Sequence, residues 1–275
     1  MTKPIAIQGI RGSFHHEVAQ RYFNDNADVI ECMSFDGTVD SLLQGNTDFA
    51  VMALENSIAG SIIPNYALID NHNLSIVGEY YLDIQHNLLA LLGQKIASIK
   101  EVHSHPMALL QCKVFFKDFP HIKLVEAKDT ADVAKQISVE NIKGIAAIAS
   151  KNAANLYELD ILAESIQTIK HNETRFVIVK RENNNLKRKG INKASLKFEL
   201  DHKRGSLATI LNVMSDCKLN LTKIQSLPKI DTPWKYAFFV DVTFEDYNHY
   251  EKAHSIIQLM AENFKVLGQY KNARL

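Results

Sequence analysis

Six short runs hold the side chains that could do chemistry. In Asn172-Glu173-Thr174-Arg175-Phe176 a hydroxyl stands next to a guanidinium, just ahead of the apolar Val177-Ile178-Val179. A guanidinium suits a carboxylate because its planar fork meets both oxygens at once, although a surface ion pair is the plainer reading. Glu55-Asn56-Ser57 closes the apolar Val51-Met52-Ala53-Leu54 with a carboxylate, an amide and a hydroxyl. That is either a binding cluster at a strand tip or a turn closed by Asn and Ser side chains. Ser13 after Gly9-Ile10-Arg11-Gly12, Ser104 before His105-Pro106, Asp129-Thr130 before Ala131 and Ser150 before Lys151 each put a polar group where a helix begins. Singly they read as N-caps, with Pro106 suited to a first helical position. Taken together they describe a crevice for a small anion. Helix N-termini carry unpaired N–H groups and partial positive charge, and in open α/β sheets they gather at the carboxyl ends of the strands.

The elements that must position these groups follow from the apolar pattern. Short β-rich runs at Ile5–Gly9, Val29–Phe35, Phe49–Leu54, Leu88–Leu92, Leu124–Glu126, Ile145–Ala149 and Thr174–Val179 alternate with helical patterns, which predicts an α/β domain on a mostly parallel sheet. A polar stretch from Arg181 to Gly190 has almost nothing to bury and reads as a linker. Beyond it, Ser195–Leu200, Ser206–Cys217, Leu221–Ser226, Tyr236–Phe244, Tyr247–Asn263 and Val266–Tyr270 give the order βαββαβ, a ferredoxin-like module. The apolar run Trp234 to Val240 reads as the core face of that small sheet, with a subunit contact as the alternative.

Composition narrows the rest. A chain of 275 residues allows two domains at about 150 residues each. With 31 Lys+Arg against 31 Asp+Glu the formal charge is zero, so neither nucleic acid nor an anionic membrane is expected as a partner. No apolar run has the ~18 residues of a membrane helix, and Met1-Thr2-Lys3-Pro4 opens no signal peptide. The three cysteines Cys32, Cys112 and Cys217 are far apart and read as reduced thiols of a cytoplasmic protein. Eleven histidines, including His15-His16, form no zinc motif, and no P-loop, Gly-x-Ser-x-Gly elbow or dinucleotide fingerprint is present.

The motifs and their order resemble the prephenate dehydratases that carry a C-terminal ACT regulatory domain. Gly9-Ile10-Arg11-Gly12-Ser13-Phe14 is similar to that family's N-terminal glycine motif. Glu55-Asn56-Ser57 with Gly60, Ser104-His105-Pro106 through Gln111-Cys112, and Asn172-x-Thr174-Arg175-Phe176 resemble its three other signatures. The resemblance implies a two-lobed catalytic domain of type II periplasmic-binding-protein type over 1–182, a linker over 183–192 and the ACT domain over 193–275. No chorismate mutase segment precedes the match, so the resemblance is not to the bifunctional fusion. It implies decarboxylating dehydration of prephenate to phenylpyruvate, with no metal or organic cofactor. It assigns Thr174 as hydroxyl donor to the leaving group, its weak acidity helped by neighbours. Arg175, Asn56 and Ser104 then position the substrate's carboxylates or hydroxyl, with Ser13, Ser57, Thr130 and Phe176 as further binding residues. Glu55 would orient Thr174 or balance Arg175, since contact with a dianion is unfavourable. His105, at a helix start, is given an orienting rather than an acid role.

For the ACT domain the resemblance implies an L-phenylalanine site formed by Gly205, Ser206 and Leu207 with Gln225, Ser226 and Pro228. Here Gln225-Ser226-Leu227-Pro228 replaces the family's Glu-Ser-Arg-Pro, so both charged members are missing. Phenylalanine is still expected to inhibit, because main-chain N–H groups near Leu207 can hold its carboxylate. Pairing of ACT domains implies a homodimer or homotetramer. Two alternatives stay open: a ligand sensor without catalysis, and arogenate in place of prephenate as substrate.

Overall fold

The computed structural model describes residues 4–24, 27–181, 190–200, 203–228 and 235–274. Most of the expected linker, residues 183–189, and Trp234 lie outside them. The described chain packs as two units, Met1–Gly60 with Tyr81–Phe176, and Ser61–Tyr80 with Val177–Leu275.

The first unit opens with β1 (Ile5–Gln8), α1 (Phe14–Phe23), β2 (Val29–Cys32), α2 (Phe35–Leu43), β3 (Phe49–Asn56) and the two-residue β4 (Gly60–Ser61). The chain then runs through α3 (Ile63–Asn71) and the first residues of β5 (Ser75–Asp83), both in the second unit. It returns with β6 (Asn87–Ala90), β7 (Glu101–Ser104), α4 (Pro106–Cys112), β8 (Lys123–Glu126), α5 (Thr130–Val139), β9 (Ile145–Ala149), α6 (Lys151–Leu156), β10 (Asp160–Ala163) and the first residues of β11 (Glu173–Lys180), whose later residues belong to the second unit. Strand β1 pairs in parallel with β2 and β3, as their continuous apolar runs require. The second sheet has the order β10-β6-β9-β7-β8, parallel across β9, β7 and β8 but antiparallel across β10, β6 and β9. The unit therefore holds two sheets, one to each lobe. Every residue of β6 is buried, and all but the first of β9, so small Ala147 and Ala149 let α5 and α6 pack closely on one face.

The second unit contains β12 (Lys193–Glu199), α7 (Ser206–Asp216), β13 (Asn220–Pro228), β14 (Tyr236–Thr243), α8 (Tyr247–Met260) and β15 (Glu262–Tyr270), the βαββαβ order. Its sheet runs β13-β14-β12-β15 and continues to β5. One face of β12 (Ala194, Leu196, Phe198) joins the apolar core with α7 and α8. The other face is polar yet buried: Lys193, Ser195, Lys197 and Glu199 are each no more than 6% exposed. Residues of α3 and β5 satisfy it. Glu79 pairs with Lys193 Nζ at 2.8 Å, Asp70 with Lys197 at 3.4 Å and with Lys265 at 2.7 Å. Ser61 Oγ accepts from Lys223 Nζ of β13 at 2.8 Å. Strand β14 uses both faces, Phe238 stacking on Phe198 and Phe239 meeting Tyr66 of α3, so the expectation of a single core face is too narrow. Among the described residues no helix is long and apolar enough to cross a membrane, no group of His, Cys, Asp and Glu could hold a metal ion, and the three cysteines are free and buried.

Candidate active site

The helix starts are occupied by their own caps. Ser13 Oγ accepts from His16 N, Asp129 Oδ1 from Ala131 N and Asp132 N at 2.8 and 2.9 Å, and Ser150 Oγ from Ala153 N. Ser150 also donates to Gly12 O at 2.7 Å, which ties α6 to the first glycine turn. These caps consume donors that the crevice reading had reserved for an anion. The turn itself needs glycine: Gly9 and Gly12 have φ of +86° and +90°. A Cβ on Gly9 would lie 2.9 Å from Asp129 Oδ2. Burial raises the Asp129 carboxyl above the ordinary carboxylate value, and its cap hydrogen bonds pull the other way. Thr130 is the first residue of α5 and half-buried.

Two expectations at the SHP run change. Ser104 does not cap α4; it is fully buried and spends its proton on Ile148 O at 2.7 Å. The cap is His105, exposed, whose Nδ1 accepts from Met107 N at 3.2 Å. With Nδ1 engaged by the backbone, the ring is held at the start of α4.

At the end of β3 the geometry converges. Asn56 Oδ1 accepts from the backbone N–H groups of Ile58 and Ala59 at 3.0 and 2.8 Å, which settles the orientation of its amide. Its Nδ2 then donates to Thr174 Oγ1 at 2.9 Å and to Asn172 Oδ1 at 2.7 Å. Asn172 Nδ2 donates in turn to Gln111 Oε1 on α4, and His86 Nε2, just ahead of β6, meets that same oxygen; both distances are 2.9 Å. The network thus joins β3 and β11 of one sheet to α4 and the start of β6 in the other lobe. Ser57, exposed, clasps Glu173 by its backbone N–H at 2.8 Å and its Oγ at 3.0 Å. Glu55 is half-buried one residue before Asn56.

The TRF run is read differently in three dimensions. Residues 173–180 are strand, so Thr174 and Arg175 point to opposite faces, and the hydroxyl and guanidinium do not stand side by side. Arg175 is 3% exposed. Phe176 shares the face of Thr174 but is core: its ring meets His15 edge-on at 4.9 Å. Gln111 and His86 were not among the expected site residues. Gln111 had a signal in the SHP run; nothing local marks His86.

In the second unit Gly205 opens α7 with φ of +86°, and Ser206 Oγ donates to Lys203 O at 3.1 Å. Leu207 is half-buried on α7. On β13, Gln225 Nε2 donates to Ser226 O at 3.0 Å, while Ser226 and Pro228 are exposed.

The chemistry available is that of a hydroxyl whose lone pair is engaged by an amide and whose proton is left to donate. The sequence profile described as Prephenate dehydratase matches residues 5–184. "Arogenate dehydratase/prephenate dehydratase 2, chloroplastic" of Arabidopsis thaliana is 36% identical over 97% of this chain and 72% of its own length. Prephenate dehydratase of Arthrobacter aurescens, solved in complex with L-Phe, superposes with a TM-score of 0.87 at 23% identity, over 98% of this chain and 90% of its own. GqqA, described as a novel type of quorum quenching acylase, superposes with a TM-score of 0.88 at 27% identity, over 98% of both chains. Profile and relative both span the amide network that holds Thr174, and on that ground the chain belongs to the prephenate dehydratase family, a carbon–oxygen lyase.

Proposed function

We propose that this site converts prephenate to phenylpyruvate, CO2 and water, with Thr174 as the hydrogen-bond donor to the departing hydroxyl. Loss of the ring carboxylate as CO2 sends its bonding pair into the ring, the carbon–oxygen bond to the hydroxyl breaks, and a proton supplied through Thr174 makes the leaving group water. The observation that carries this is the Asn56 Nδ2 to Thr174 Oγ1 contact at 2.9 Å. A hydroxyl that accepts a hydrogen bond becomes a better donor, and Thr174, 7% exposed, sits where little water competes. Asn56 and Gln111 serve as polar positioning groups, Arg175, Glu55, Ser57, Ser13 and Thr130 as the remaining substrate-side candidates. An acylase reading, which the likeness to GqqA raises, needs a nucleophile beside a base; among the described contacts Thr174 has an amide as partner, not an imidazole.

The second unit is read as an ACT domain that binds L-phenylalanine at Gly205, Ser206, Leu207, Gln225, Ser226 and Pro228 and inhibits the reaction, in a cytoplasmic homodimer or homotetramer whose catalytic domain is 1–182 and regulatory domain 193–275. The βαββαβ sheet and the left-handed turn at Gly205 support it. Turnover of prephenate by the purified protein, followed as phenylpyruvate with and without phenylalanine and with arogenate in parallel, tests both readings. Phenylpyruvate suppressed by phenylalanine is the expected result. Turnover of arogenate alone moves the substrate, and silence with both leaves a ligand sensor.

A further inference from the structure

We propose that His86 is a positioning residue of this site: as a neutral Nε2–H donor it locks the side-chain amide of Gln111 and leaves that amide's amino group for a substrate oxygen. The inference rests on the dehydratase reading for its substrate and on hydrogen-bond direction for its geometry. Asn56 sets that direction, because its Oδ1 is held by two backbone N–H groups and its Nδ2 must donate. Asn172 therefore accepts at Oδ1 and donates from Nδ2, and Gln111 receives that bond at Oε1. The same oxygen lies 2.9 Å from His86 Nε2, so the imidazole must carry its proton there.

The alternative tautomer would set a lone pair of Nε2 against the Gln111 carbonyl and bury an N–H at Nδ1, which has no partner. A bare acceptor at Nδ1 is the cheaper of the two. The ring is also held in place. Its backbone N–H donates to Gln167 Oε1 at 3.0 Å, its carbonyl accepts from Ile166 N at 2.8 Å, and the Phe14 ring meets it edge-on at 5.7 Å. Burial lowers the imidazole's proton affinity below the ordinary value, which keeps it neutral near neutral pH.

With Oε1 claimed twice, the amide plane of Gln111 cannot flip without facing two donors with an amino group. Its own amino group has no partner among the described residues, and Gln111 is half-buried, so that group can donate to a carboxylate or hydroxyl oxygen. Thr174 is insulated from His86, because Asn56 is anchored by Ile58 and Ala59 whatever happens at Gln111. Loss of the His86 donor should therefore reach KM before kcat.

The test is steady-state kinetics on His86→Leu and His86→Gln, with nitrogen NMR of the wild-type protein labelled in histidine. Leucine removes the donor, whereas glutamine returns an N–H at the reach of Nε2. The expected result is a rise in KM of about tenfold for His86→Leu, as for one hydrogen bond to a charged group lost. kcat should change by less than about threefold, and His86→Gln should recover most of the KM. In the NMR spectrum His86 should show the Nε2–H tautomer. An unchanged KM in His86→Leu, equal impairment in both variants, or an Nδ1–H tautomer would overturn the proposal. If His86→Leu does not fold, His86→Gln and the tautomer decide. A wild-type protein that turns over neither prephenate nor arogenate sinks the dehydratase reading instead, and the tautomer still decides the lock on Gln111.

Discussion

Asn56 Nδ2 lies 2.9 Å from Thr174 Oγ1, and the bond runs one way only, from amide to hydroxyl. Removing the hydroxyl with Thr174→Val should lower kcat by about 10²- to 10⁴-fold, the range for a positioned proton donor, with KM little changed. Asn56→Asp, which offers a carboxylate where Thr174 needs a donor, should also cost turnover. Full activity in either variant would remove Thr174 from the chemistry.

Gly9→Ala tests the first turn. The substitution puts a side chain at φ of +86° and within 2.9 Å of Asp129 Oδ2. A left-handed residue alone costs roughly 1–2 kcal/mol, and the crowding of a capping carboxylate adds to it. We expect a lower urea midpoint with an unchanged slope; an unaltered midpoint would mean that the turn relaxes freely.

Glu79→Ala should be among the most destabilising single changes. Its side chain is 0% exposed and that of its partner Lys193 3%, so the variant takes a carboxylate partner from a buried ammonium. Breaking such a pair costs about 3–5 kcal/mol. Chemical denaturation reads the loss directly, and a change below about 1 kcal/mol would show that water reaches the site.

Acid should loosen the first unit through His15. Burial pushes this imidazole down to about 3 from an ordinary 6.5. Between those values the unfolded chain binds a proton that the folded chain refuses, so stability is complete above the upper value and falls as pH drops towards the lower one. The slope from this one group is at most about 1.4 kcal/mol per pH unit. His15→Phe, which keeps the ring contacts to Phe35 and Phe176, should flatten that slope; parallel curves for both proteins would assign the acid sensitivity elsewhere.

How much was legible in the residues depended on how far each partner lay along the chain. Strands β1, β3, β9 and the whole βαββαβ order could be read, because apolar runs and caps are local signals. Asn56 and Thr174 were legible as motifs, but their bond, and the further links to Gln111 and His86, join residues with no local relation. Strand β5 escaped because Gly78 and Glu79 interrupt its apolar pattern, and the lysine that neutralises Glu79 comes from β12. The pairing of Thr174 with Arg175 reads differently in space: adjacency in a strand means opposite faces, and the neighbour of Thr174 is Asn56.

Lys223 Nζ reaches Ser61 Oγ from the strand that also carries Gln225, and Ser61 follows Asn56 by one short turn of chain. The short strand β4 is thus held by the same sheet strand that carries Gln225. If phenylalanine weakens the hold on substrate by some factor, substrate must weaken the hold on phenylalanine by the same factor.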